Sequence, residues 1–148
     1  MILVSACLCG INCKYNGGNS LNKEILDMYL RGEVVPVCPE QLGGLPTPRV
    51  AKEIAEGTGA DVLDGNAEVI SKNGEDFSTH EFVIGAENTL KIAQALGIKK
   101  AILKQRSPSC GFGQVYDGSF SGKIILGNGV TAELLHRNGI EILTEEDF

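Results

Sequence analysis

The chain has 148 residues, 43% of them hydrophobic, so it can bury one sizeable core without disulfide support. Nineteen acidic and 13 basic residues give a net charge of -6, and no Lys- or Arg-rich run is present, which argues against general binding of nucleic acid or anionic membranes. No apolar run approaches the roughly 20 residues that span a bilayer, and the N-terminus has no basic leader, so we expect a single cytoplasmic domain over residues 1–148.

Short β-type runs alternate with helical patterns from the N-terminus onward, which predicts an α/β fold. A first strand is predicted over residues 1–6 and a first helix over residues 20–32. The second strand is predicted over residues 33–38, where Pro36 favours an edge position because proline cannot donate a sheet hydrogen bond.

The middle of the chain lacks a clear hydrophobic period. Residues 39–61 are rich in Gly and Pro and are predicted to form a long ordered loop with a helical turn near residues 51–56. Loops of this length in a compact domain usually have a function. A small hairpin insertion is expected over residues 61–72, turning at Asp64-Gly65-Asn66.

The second half of the chain contains the clearest helical pattern. It starts at a capping box in residues 78–81 and ends at Gly97. A third strand over residues 98–105, a short helix over 130–139 and a final strand over 140–144 follow. The whole pattern predicts a Rossmann-like domain with a mostly parallel sheet flanked by helices.

Three of the five cysteines fall at or beyond the ends of predicted strands. Cys7 follows the first strand, Cys38 ends the second, and Cys110 lies a few residues beyond the third in the turn KQRSPSCG. Ligands of parallel α/β sheets gather beyond the carboxyl ends of the strands, so we expect these thiols along one rim of the sheet. In a reducing compartment such cysteines are metal ligands, reactive thiols or core residues rather than disulfides.

The other soft ligands are few. Cys9 and Cys13 lie in the loop CLCGINCKYNGG, where they are auxiliary thiols of a site or simple fillers, and their spacing fits neither a ferredoxin nor a zinc knuckle. His80 and His136 fall in stretches typical of exposed helix surface. Any metal site in this chain is therefore expected to consist mainly of thiolates.

Polar residues beside the strand-end cysteines suit proton transfer and substrate binding. Glu40 is a candidate general acid or base, or else a solvated carboxylate, and Arg49 could hold an anionic or carbonyl group or form a loop salt bridge. Ser107 and Ser109 could bind a substrate or a cluster sulfur, or serve only the turn that contains them.

Four separated motifs occur in order over nearly the entire chain: VSACLCGINCKYNGGN, VVPVCPEQLGGLPTPR, LKQRSPSCGFGQVYDGSFSG and GNGVTAELL. Together they resemble a bacterial family long known only as a domain of unknown function, whose characterised members are iron-sulfur-dependent thiouracil desulfidases. The resemblance implies that Cys7, Cys38 and Cys110 hold a 4Fe-4S cluster and leave one iron without a protein ligand. It also implies that an acidic residue and a serine act near the cluster, matched here by Glu40 and by Ser109 or Ser107.

The resemblance further implies a small thiolated base or nucleoside, such as 2-thiouracil, as the substrate. Its C=S group would become C=O without net electron transfer, and the sulfur would leave as hydrosulfide. The residues Lys14, Tyr15 and Asn16 are candidates for lining the pocket, and they replace the more common RYD of the family with KYN. Because Lys lacks the bidentate fork of Arg, this change bears on substrate specificity. A homodimer is one option for the assembly.

Two other classes of function stay open at this point. The first is thiol chemistry without metal, as in a sulfurtransferase or redox protein; a cysteine phosphatase is disfavoured because Cys7 is followed by Lys14 and not by the Arg of a Cys-x5-Arg loop. The second is a module with structural zinc, whose fourth ligand would be Cys9 or Cys13.

Overall fold

A computed structural model describes all 148 residues. Two short 3-10 turns, Ala6–Cys9 and Glu145–Asp147, follow the first and last strands. The helices and strands, in chain order, are β1 (Ile2–Ser5), α1 (Lys23–Leu30), β2 (Val34–Val37), α2 (Pro39–Leu42), β3 (Lys52–Ala55), α3 (Gly59–Leu63), β4 (Glu68–Ser71), α4 (Thr79–Ala95), β5 (Lys100–Leu103), β6 (Gln114–Tyr116), β7 (Ile124–Leu126), α5 (Val130–Arg137) and β8 (Glu141–Thr144).

The central sheet has four parallel strands in the spatial order β2-β1-β5-β8. β2 forms one edge, as Pro36 predicted, and Pro36 lies opposite Val4 of β1. The inner strands β1 and β5 are apolar because both of their faces are covered. The predicted parallel α/β sheet flanked by helices is therefore confirmed, whereas its description as Rossmann-like stays a prediction.

Alternate residues of the inner strands point to two different hydrophobic clusters, as the two-residue period of a strand requires. Leu3 and Leu103 belong to the cluster that includes Ala93 of α4 and Leu135 of α5. Val4 belongs instead to the cluster that includes Ile25 of α1. The helices thus cover both faces of the sheet and leave the carboxyl ends of its strands for the loops.

The middle of the chain differs from the sequence prediction. Residues 52–55 form strand β3 rather than a helical turn, and residues 59–63 form helix α3 rather than the first strand of a hairpin. The antiparallel hairpin is instead made by β3 with β4, with α3 between them. Strands of four residues with mixed polar and apolar side chains have no period that identifies them, so the pairing was not readable locally.

Two further features were not predicted correctly. The Gly-rich stretch after β5 contains a second antiparallel hairpin, formed by β6 and β7. Helix α4 begins where expected, but the Ser78 side chain makes no capping hydrogen bond. Thr79 instead links the helix to the first hairpin, because its hydroxyl accepts from the Val69 amide and donates to Glu68.

No helix of the structure has the length and apolar character needed to cross a bilayer, and the longest, α4, has 17 residues.

Candidate functional site

A cavity of about 430 Å³ lies at the carboxyl ends of β1, β2 and β5. Four of the five cysteines line it, and the three strand-end thiols are among them: Cys7, Cys13, Cys38 and Cys110. All of these thiols are free of disulfide bonds. The structure thus brings together the cysteines that the strand-end argument placed along one rim.

Each strand-end cysteine is positioned by the segment that follows its strand. Cys7 lies in the 3-10 turn directly after β1, and Cys38 is the N-cap residue of α2 directly after β2. Cys110 lies in a turn held by the Ser107 hydroxyl, which accepts hydrogen bonds from the Ser109 amide at 3.1 Å and the Cys110 amide at 2.9 Å. Ser107 therefore fixes the backbone that presents the third thiol.

Cys13 is the fourth thiol of the cavity. Its backbone carbonyl accepts a hydrogen bond from the Cys38 thiol at 3.7 Å. Cys9 does not line the cavity and instead packs in the hydrophobic cluster that contains Leu8. Of the two auxiliary thiols considered from the sequence, only Cys13 reaches the site.

Three of the cavity thiols, Cys13, Cys38 and Cys110, have a raised pKa, so their neutral form is favoured. Burial raises the pKa of Cys110 to about 12, although hydrogen bonds from Ser5 and Ser109 act in the opposite direction. The hydrogen bond to Cys13 and burial both raise the pKa of Cys38. The interaction with Cys38 lowers the pKa of Cys13. The interaction with Cys7 and burial raise it by more, so the pKa of Cys13 is raised to about 11. A metal or cluster must therefore displace protons when it binds.

The donor set of the cavity distinguishes between kinds of metal site. No group of three His, Cys, Asp or Glu side chains converges closely enough to hold a single metal ion. The cysteines of an iron-sulfur cluster each bind a different iron, so they need a wider spacing than the ligands of one ion. Three free thiols on separate segments around one cavity suit the second arrangement better than a tetrahedral zinc site.

A carboxylate with two fixed hydrogen bonds lies beside the thiols. Glu40 Oε1 accepts from Arg49 Nε at 3.0 Å, and Glu40 Oε2 accepts from Ser109 Oγ at 2.9 Å. Ser109 Oγ also lies 3.7 Å from Cys110 Sγ and 3.0 Å from Ser107 Oγ. A chain of exchangeable protons therefore runs from Ser107 through Ser109 to Glu40 and passes next to a thiol.

Comparison with protein-family models matches residues 2–147 to the 2-thiouracil desulfurase family. The chain belongs to this family. It is 46% identical over all 148 residues to the protein called Uncharacterized protein YbbK from Bacillus subtilis strain 168, and covers 97% of that relative. It is 38% identical to a solved structure named 4Fe-4S-dependent thiouracil desulfidase TudS, with a TM-score of 0.87 over 99% of this chain and 91% of the other. The family resemblance and the fold class expected from the sequence are both confirmed.

In this member of the desulfurase family, the Arg49 guanidinium binds other groups of the protein. Besides Glu40, its guanidinium donates to the carbonyls of Pro46 and Cys13 and to the Thr47 hydroxyl, and its side chain is 4% exposed. Four of its five N–H donors are thus engaged. The predicted contact between Arg49 and substrate stays a prediction, and the observed contacts hold Glu40 in place.

The loop after Cys13 is only partly at the cavity. Lys14 and Tyr15 line it, while Asn16 lies outside it and accepts a hydrogen bond from the Gly18 amide. Both histidines are exposed and do not line the cavity, and the ring of His136 on α5 packs against Phe112.

Several lining residues were missed by sequence reasoning because they come from the β6–β7 hairpin, which was not predicted, and from β3 and the residue after β4, in a hairpin predicted with other bounds. The tip of the β6–β7 hairpin and the first hairpin together form one wall of the cavity. An aromatic pair in a Gly-rich stretch was the only sequence signal for this wall. The residues concerned are Lys52, Glu53, Lys72, Tyr116, Phe120 and Gly122.

Proposed function

We propose that this protein removes sulfur from a small thiolated pyrimidine, such as 2-thiouracil, by means of a 4Fe-4S cluster held by Cys7, Cys38 and Cys110. The observation that carries the proposal is the meeting of these three free thiols with the Glu40–Ser109 pair in one cavity. Membership of the 2-thiouracil desulfurase family and the likeness to a 4Fe-4S-dependent desulfidase support it.

The chemistry of the donors fits such a cluster. Thiolate is the usual ligand of iron-sulfur clusters, and three cysteines leave one iron without a protein ligand. When bound, the cluster supplies a Lewis-acidic iron with affinity for the soft sulfur of a thiocarbonyl group. Cys13 is not required as a ligand in this assignment.

The reaction exchanges sulfur for oxygen without change of oxidation state. A thiocarbonyl compound and water give a carbonyl compound and hydrosulfide plus a proton, so no electron donor is needed. Two proton transfers accompany the exchange, one from the attacking water and one toward the departing sulfur. A fixed carboxylate with a hydroxyl partner is suited to both.

We assign proton transfer to Glu40 Oε2. Arg49 holds Oε1, so the carboxylate keeps one orientation while Oε2 exchanges its proton with water or with the Ser109 hydroxyl. Ser109 has the further contact with Cys110 Sγ, which places its hydroxyl between the carboxylate and the expected cluster ligand. Ser107, Lys14 and Tyr15 remain the proposed contacts to the thiolated pyrimidine. Asn16 would influence substrate specificity only through the conformation of its loop.

The test uses anaerobically purified and reconstituted protein. We expect about four irons and four sulfides per chain, and release of hydrosulfide from 2-thiouracil. Cys38→Ser should lose both cluster and activity, whereas Cys9→Ser, which changes a thiol outside the cavity, should keep both. Full activity of Cys38→Ser would favour a metal-free persulfide relay, and zinc in place of iron would favour a structural module. The hydrolase or lyase class, a cytoplasmic location and a homodimeric assembly stay predictions.

A further inference from the structure

The turn Asp117–Gly122 joins β6 to β7. It borders the same cavity as the thiols. Phe120 and Gly122 of this turn line the cavity, and so does Tyr116 at the end of β6. The turn is internally fixed, because Asp117 Oδ1 accepts from the Ser119 amide at 2.9 Å. A rigid turn with an aromatic ring therefore contributes a wall to the site.

A buried carboxylate attaches this turn to the first hairpin. Glu53 of β3 is 8% exposed, and its Oε1 accepts from the Gly118 amide at 2.9 Å and the Phe120 amide at 3.1 Å. A buried carboxylate needs such partners, and charge-assisted hydrogen bonds are about twice as strong as neutral ones. Glu53 thus joins the two hairpins through the backbone amides of Gly118 and Phe120.

The backbone at Phe120 is in an unusual conformation. Its φ is 56°, in the left-handed region that non-glycine residues rarely adopt. Gly118, with φ of 92°, lies so close to β3 that a Cβ atom there would overlap the Ile54 carbonyl oxygen. Strained residues persist only where their surroundings over-determine them, and they are concentrated at functional sites. The hydrogen bond from the Phe120 amide to Glu53 helps to hold Phe120 in this conformation.

We propose that Phe120 is a specificity-determining residue whose ring stacks on the planar heterocycle of the substrate, and that Glu53 is the positioning residue that holds it there. The inference rests on the proposed function, because a pyrimidine offers the flat π-face that such a ring binds. Stacking of a base on an aromatic side chain is typically worth about 5- to 150-fold in affinity. Neither residue belongs to the thiol and carboxylate machinery described above.

Fluorescence tests the stacking directly, because the chain has no tryptophan. In Phe120→Trp, uracil should quench the new fluorophore saturably in cluster-free protein, whereas dihydrouracil, which has the same polar groups on a non-aromatic ring, should not. Phe77→Trp is the matched control, since Phe77 is 67% exposed and does not line the cavity. Equal quenching by both ligands, or no saturable quenching, would overturn the stacking.

Kinetics of the reconstituted enzyme test the positioning role. Phe120→Leu and Glu53→Ala should each raise KM for 2-thiouracil by about 10-fold with kcat within about threefold and iron content unchanged. Glu53→Gln, which keeps an acceptor oxygen, should restore most of the affinity, and Glu87→Ala on the exposed surface of α4 should change nothing.

The double variant Glu53→Ala/Phe120→Leu separates positioning from general destabilisation. Its KM should equal that of Phe120→Leu alone, because Glu53 acts through the ring. Additive effects on KM would show that Glu53 acts independently of the Phe120 ring, and a fall in kcat and iron content without a change in KM would show that it has only a structural role; either result would overturn the positioning role. If wild-type enzyme releases no hydrosulfide, the proposed function fails, and the uracil titration still decides the stacking.

Discussion

Arg49 and Glu40 illustrate how much of the site is set by contacts distant in sequence. The Arg49 guanidinium reaches the Cys13 carbonyl across 36 positions, and Glu40 reaches Ser109 across 69. The sequence identified Glu40, Arg49 and Ser109 as candidates because they stand near the strand-end cysteines, and Cys13 as an auxiliary thiol or a simple filler of its loop. It could not show that Arg49 serves Glu40, since the two roles considered for Arg49 differ only in tertiary contacts.

Replacing Arg49 by Lys should separate positioning from substrate binding. Lysine has a single point charge and cannot serve four acceptors at once, so we expect kcat to fall at least about 10-fold and stability to fall by about 2–3 kcal/mol. Arg31→Lys is the control, because Arg31 pairs with Glu33 on the surface and its change should stay within about 0.5 kcal/mol. A raised KM with unchanged kcat would instead assign Arg49 to the substrate.

Glu40→Gln should keep the shape of the side chain and remove its ability to exchange a proton. We expect kcat to fall by about 100-fold or more, since general acid–base groups contribute about 10²–10⁴. Iron and sulfide content should match the wild type, because Glu40 is not assigned as a ligand. Retention of near wild-type kcat would mean that another group carries the proton.

The buried thiols make a prediction for the cluster-free protein at alkaline pH. Burial raises the pKa of Cys110 from 9.0 to about 12, so the folded state binds a proton that the unfolded state releases. This contribution is fully present below about pH 9 and is lost as pH rises toward 12, with a limiting slope of about 1.4 kcal/mol per pH unit. Urea unfolding should show a steeper alkaline loss of stability in the wild type than in Cys110→Ala, and identical slopes would contradict the burial of this thiol.

At the scale of elements, the approach of α2 to α4 positions both Cys38 and Glu40. Gly85 of α4 and Gly43 at the end of α2 allow this approach, because a Cβ atom at either position would overlap a carbonyl oxygen of the other segment. The sequence predicted α4 from its period but left α2 in a loop, since four residues are too short to show a helical pattern.

Gly85→Ala tests this packing through the sign of its effect on the free energy of unfolding. In an exposed helix the change would stabilise by up to about 1 kcal/mol, but here the overlap with Pro39 should destabilise by about 1–3 kcal/mol. Because Cys38 is the N-cap residue of α2, iron content per chain should fall as well. Glu87→Ala, on the exposed face of the same helix, should do neither. A stabilised variant with full iron content would show that the two helices are not in close contact.

The two hairpins show where prediction from the sequence stopped. The four parallel strands were predicted within two residues at each end, because buried apolar runs followed by turn residues identify them. Strand β3 has the sequence KEIA and pairs with β4 across an intervening helix, so neither its period nor a local turn signals the pairing. The β6–β7 hairpin that contains Phe120 was not predicted because each of its strands has only three residues, too few to show a period.

At the scale of the whole molecule, the fold delivers cysteines from three strands to one place. Parallel strands share a direction, so the segments after β1, β2 and β5 meet at one edge of the sheet, while helices cover both of its faces. The meeting of Cys7, Cys38 and Cys110 could therefore be predicted without knowledge of any loop conformation. Cys13 lines the same cavity because of the conformation of its loop, which only the structure shows.

Turnover without an electron donor tests the central claim most directly. The anaerobically reconstituted protein is incubated with 2-thiouracil in the absence of any reductant, and uracil and hydrosulfide are quantified over time. The account predicts repeated turnovers with equal amounts of the two products, and loss of turnover when iron is removed by a chelator. Absence of hydrosulfide, a requirement for a reductant, or unchanged turnover after complete removal of iron would contradict it.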